Sequence, residues 1–110
     1  MNTPIRKTRQ PKQKWIGLVN VSPRAGNDVL GNARGAFVAS IALAEGPADF
    51  GQKVTEALDQ FGFDIVEIED IELFEDRLKK YSVTPNIVEL AASVTGKNPL
   101  VLSDFHSYKG

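Results

Sequence analysis

The chain has no cysteine, and His106 is its one histidine in 110 residues. Disulfides, thiolate nucleophiles and sulfur-based zinc sites are therefore excluded, and so is any metal site that needs several imidazoles. Long hydrophobic runs are also lacking. The longest, Ala36 to Ala44, is broken by Ser40 and falls far short of the ~20 residues that span a bilayer. No uninterrupted apolar stretch follows the basic N-terminus, so neither a secretory signal nor a membrane contact is expected. The expectation is a cytoplasmic protein. No cofactor fingerprint and no metal-ligand pattern occur, so no cofactor and no metal are assigned.

What is present is an ordinary globular composition, 42% hydrophobic and 25% charged. That is enough for one buried core and argues against disorder over most of the length. The net charge of −1 conceals an asymmetry. Arg6, Lys7, Arg9, Lys12 and Lys14 fall in the first fourteen residues with no acid among them, whereas the other 96 hold eight basic and fourteen acidic residues. Residues 1–14 read as a basic, disordered tail and 15–110 as a single domain. The tail offers phosphate-type contacts to nucleic acid but no aromatic before Trp15 on which bases would stack, so a solvated tail is preferred.

The stretch Ala36 to Glu72 reads as strand, amphipathic helix, strand, one βαβ crossover. Before it come the strand WIGLVNV, 15–21, and a long turn-rich linker, 22–35. Gly17 within that first strand marks a bulge or a close backbone approach. In 36–44, Phe37, Ala39, Ile41 and Leu43 share one face and the Ala/Ser row the other, which puts the large side chains toward a core. Pro47 opens a helix whose core stripe is Phe50, Val54, Ala57, Leu58 and Phe61, closed by Gly62. A short helix carries Phe74, Leu78 and Tyr81, with Glu75/Lys79 and Asp76/Lys80 as supporting pairs. Thr84-Pro85 caps another helix with Ile87, Leu90, Ala91 and Val94 on its apolar side, and LVLSDFHSY, 100–108, is the last strand. The order β-β-α-β-α-α-β predicts an α+β two-layer sandwich, a four-stranded mixed sheet with helices on one face.

Four groups are candidate sites. Gly26 to Gly31 has phosphate-loop spacing, but Asn32 and Ala33 replace the lysine and hydroxyl that such a loop requires, and the loop precedes a strand. What remains is Arg24 and Arg34 flanking freed backbone donors, an anion or acidic side-chain site. Asp104, His106 and Tyr108 alternate onto one strand face, the minimum kit for acid–base work, with no nucleophile beside them. Glu67 and Glu69, about 7 Å apart along a strand, share a face with Ile65 and Ile71 and read as a solvated acidic row. Trp15 reads as packing against the sheet end.

The reading that follows is a small, non-catalytic module that binds another macromolecule, a protein partner or a second copy, through the helix-free sheet face. That face is expected to carry the Ala/Ser row with Ile65, Glu67, Glu69 and Ile71, a mixed apolar and acidic surface. The alternatives are a small enzyme or anion-binding domain using the 22–35 loop with Asp104 and His106, and a nucleic-acid binder working through the tail.

Overall fold

The structure, a computed structural model, describes residues 11–80 and 82–108; most of the expected tail and Tyr81 of the expected 74–81 stripe lie outside the described residues. The elements are β1 (Gln13–Pro23), β2 (Gly35–Ala44), α1 (Pro47–Gln60), β3 (Phe63–Leu73), α2 (Phe74–Lys80), α3 (Pro85–Ala92), β4 (Leu100–Leu102) and β5 (His106–Tyr108). This is the α+β class and the element order expected, with the last strand split in two. The five strands form one sheet in the order β3-β1-β2-β4, and β5 also pairs with β2. Every adjacent pair is antiparallel, so the sheet is not mixed. The crossover is nevertheless there. β2 and β3 both run antiparallel to β1, hence parallel to each other, and α1 joins them across it, a split βαβ unit. Among the described residues no helix is long and apolar enough to cross a membrane.

Helices cover both faces of the sheet, unequally. On one face α1 lays Phe50, Val54 and Leu58, all fully buried, on Val19 and Val21 of β1 and on Ala36, Val38, Ala42 and Ala44 of β2. The Ala/Ser row therefore lies under a helix, and the large side chains of β2 point the other way. Small residues win this face because α1 brings bulky ones. A Cβ at Gly17 would come within 2.8 Å of the Phe50 ring, so Gly17 marks a close approach. On the opposite face, Ile16 and Ile41 pack with Phe74 of α2 and with Ala91 and Val94 from and after α3. That cover reaches only one end of the sheet.

Local chemistry explains the boundaries. Thr84 Oγ1 accepts the Ile87 N–H at 3.3 Å, the cap expected for α3. At the start of α1 the Asp49 carboxylate accepts the Glu45 N–H at 2.9 Å and holds Lys53 at 3.1 Å. Gly62, at φ 85°, closes α1 as expected. Phe61 does not belong to the core stripe, being 62% exposed. It follows the last helical residue, and the reversal at Gly62 sends Phe63 inward in its place. Leu78 is likewise outside the core, 48% exposed, because α2 buries only Phe74.

Candidate functional site: the open half of the sheet

β3 deviates from strict alternation twice, and both deviations shape the surface. The register steps from Ile16↔Glu72 to Leu18↔Glu69, and again from Asn20↔Glu67 to Val21↔Ile65. Each step leaves one extra residue on β3, a bulge. Asp70, at φ 55°, lies in the first and Val66 in the second. Each bulge switches side-chain parity, so Phe63, Ile65, Ile68 and Ile71 all reach the α1 face. Ile65 and Ile71 thus leave the face of Glu67 and Glu69, contrary to simple alternation.

The two glutamates point to the face opposite α1, beyond the reach of α2 and α3. Residues paired across antiparallel strands share a face, so the register defines two rows. One runs Glu69–Leu18–Ala39, the other Glu67–Asn20–Phe37–His106. Glu67 and His106 are exposed; Glu69, Leu18, Asn20, Phe37 and Ala39 are half-buried. Leu18, Phe37 and Ala39 belong to neither core. No described side chain forms an ion pair or hydrogen bond with Glu67 or Glu69.

Tyr108 secures one margin of this surface. Its ring lies over Gly35, where an added Cβ would come within 2.5 Å of the phenol oxygen and 2.6 Å of the Val21 carbonyl. From there its hydroxyl donates to Asn20 Oδ1 at 2.6 Å, and its ring packs on Phe37 with centroids 5.4 Å apart. β5 is thereby tied across β2 to β1. Only a glycine at 35 leaves space for that reach, a signal present in the sequence but uninterpretable without the register.

The Asp104–His106 pair is not assembled. Ser103 accepts the Ala39 N–H on its Oγ at 2.9 Å and donates its own N–H to the Ala39 carbonyl, which interrupts the strand between β4 and β5. One extra residue is accommodated there, from Ser40↔Leu102 to Phe37↔His106, and parity switches again. Asp104 falls in the break, exposed, with no hydrogen bond to His106.

The 24–34 loop is held by its own residues. The Arg24 guanidinium donates to Asp64 at 2.9 Å, to Asp59, and to the Phe63 carbonyl at 3.0 Å. Its hydrogen bonds to Asp64 first, then Asp59, raise its pKa further above the ordinary arginine value. Asn27 Nδ2 donates to the carbonyls of Phe61 and Gly62 at 3.0 and 2.9 Å. Arg24 is therefore matched inside the fold. Arg34 is exposed at the end of the loop, with its backbone N–H on the Tyr108 carbonyl at 3.0 Å.

A cleft of about 520 Å³ is lined by Asp70, Ile71, Glu72, Arg77 and Lys80. Three of its charged side chains are paired with one another, Glu72 with Arg77 at 2.6 Å and with Lys80 at 3.3 Å. The Arg77 hydrogen bond, reinforced by Lys80 and opposed by partial burial, holds Glu72 below the usual carboxylate range. Of the pairs expected along α2, Lys80 turns back onto Glu72 of β3 at 3.3 Å instead of Asp76, and Lys79 lies 3.9 Å from Asp76 within the helix instead of on Glu75. Trp15 is half-buried against the α1-side core, and its Nε1, like Ser40 Oγ, is buried without a partner. Among the described residues no three His, Asp or Glu side chains converge as a metal cage would require. No family model matches the chain, nor does any curated protein or solved structure.

Proposed function

We propose that this chain is a small, non-catalytic interaction module that binds a protein partner in the cytoplasm through the uncovered half of its sheet. One observation carries the reading. The chain packs α1 into one core on one sheet face, with even the half-buried apolar residues of that face joined to it, but leaves Leu18, Phe37 and Ala39 of the other face outside both cores, beside two carboxylates with no described partner. Half-exposed apolar groups next to unmatched charge are the ingredients of a partner surface. The surface is not the one alternation suggested: its small residue is Ala39, and the Ala/Ser row supports α1 instead.

A photoreactive phenylalanine analogue tests this in cells. Placed at Phe37 it should crosslink a discrete partner, and Glu67→Lys with Glu69→Lys should remove the crosslink while the chain stays folded. The same analogue at Phe61, exposed but near the loop that Asn27 anchors, should not capture that partner. Equal capture from both positions, or loss of function on His106→Ala with indifference to the charge reversal, would replace this reading with another.

A further inference from the structure

We infer that the occupant of the open sheet face is a cationic amphipathic helix of a partner protein, an inference that rests on the docking role proposed above. The face has no free backbone groups to offer, because its strands pair with one another in the sheet plane. A segment lying on it must satisfy its own backbone hydrogen bonds, and a helix does so. Strand addition at the β3 edge is the competing mode. There the bulges at Val66 and Asp70 break the regular ladder that an added strand needs. The dimensions also suit a helix. Four strands spaced ~4.8 Å apart give a row about 14 Å across, against a helix diameter of about 10–12 Å.

Charge selects the kind of helix. Glu67 and Glu69 line one margin, Leu18 and Ala39 the middle, and no described lysine or arginine falls in either row. A helix with apolar residues at i, i+3, i+4 and i+7 and lysine or arginine along one flank meets both parts. A second copy does not. Placing this face on itself would bring carboxylates together without a fixed cation between them, and like charges across an interface disfavour it.

The test uses two 14-residue peptides with the same leucine stripe, flanked by lysine in one and by glutamate in the other, titrated into the full chain. Binding is followed by amide NMR shifts, with sedimentation equilibrium in parallel. The lysine peptide should shift Leu18, Phe37 and Ala39, and Glu67→Lys with Glu69→Lys should weaken it by about tenfold or more. Reversal of Glu56 and Glu75, which lie on α1 and α2, should leave it unchanged. Equal weakening by that control would mean unspecific attraction and overturn the inference. If the glutamate peptide binds the same residues more tightly, the face is a docking surface but not for a cationic helix. A dimer abolished by Phe37→Ser would make a second copy the occupant, with the same consequence. If neither peptide moves the three residues and no dimer forms, the docking role falls together with the inference.

Discussion

The two faces of the sheet solve the same burial problem differently. Under α1, every inward residue of β2 from Ala36 to Ala44 is fully buried, and the helix fits closely because its partners there are small. On the other face, Ile16 and Ile41 are buried under α2 and α3, yet two residues further along, Leu18 and Ala39 are only half-buried. The same strands therefore pass from core to surface along their length. Burial is concentrated on the α1 face and at one end of the other; on the rest of that second face, the Tyr108 contacts with Asn20 and Phe37 fasten β5, while Leu18 and Ala39 belong to neither core.

Leu58→Ala should mark this contrast most strongly. It removes a fully buried side chain beneath α1 and should cost about 2–5 kcal/mol. Leu18→Ala, at a half-buried leucine on the open face, should cost clearly less in the same urea melts. Equal costs would mean that the open half is structural after all. Gly35→Ala comes next. Its methyl group would meet both the Tyr108 ring and the Val21 carbonyl, and overpacking of this kind costs about 1–3 kcal/mol. Tyr108→Phe keeps the ring contact with Phe37 and deletes only the hydrogen bond to Asn20, so about 1 kcal/mol is expected. A large loss from Tyr108→Phe, with little from Gly35→Ala, would reverse the account of how β5 is fastened.

Much of the α1 face was legible from the chain alone. The Phe50, Val54, Leu58 spacing is a helical stripe, and Thr84-Pro85 announces a capped helix, because both signals are local. The face chosen by β2 was not. Both of its rows are apolar, and the rule that large residues face the core fails when each face has its own cover. The choice follows from what α1 brings, a tertiary fact. The bulges of β3 left one trace, apolar residues at 65, 68 and 71 where a period of two would be expected. Of the candidate site, Glu67 and Glu69 could be placed on a common exposed face because no bulge separates them. Their neighbours could not, since bulges lie on either side. Asp104 and His106 were separated by Ser103, whose hydroxyl replaces a ladder bond in a way alternation does not register.

Acid titration separates the faces by the smallest effect. Asp49 braces the start of α1, and its pKa is lowered first by the Glu45 N–H and then by Lys53. Glu72 braces α2 on the other face, lowered first by Arg77. A carboxylate with a depressed folded-state pKa contributes stability above its unfolded value, near 4, and that contribution is lost as pH falls through the lower folded value. Both braces should therefore weaken only below about pH 4, with each contributing at most about 1 kcal/mol at neutral pH because neither pair is fully buried. Asp49→Asn and Glu72→Gln should each flatten the acid limb of the stability profile, measured by urea melts from pH 7 to pH 2.5. Glu72→Gln should also loosen α2 from β3 and raise amide exchange at Ile16 and Ile41, whereas Asp49→Asn should raise it at Phe50 and Val54. Exchange that rises at all four positions in either variant would show that the two faces unfold as one unit.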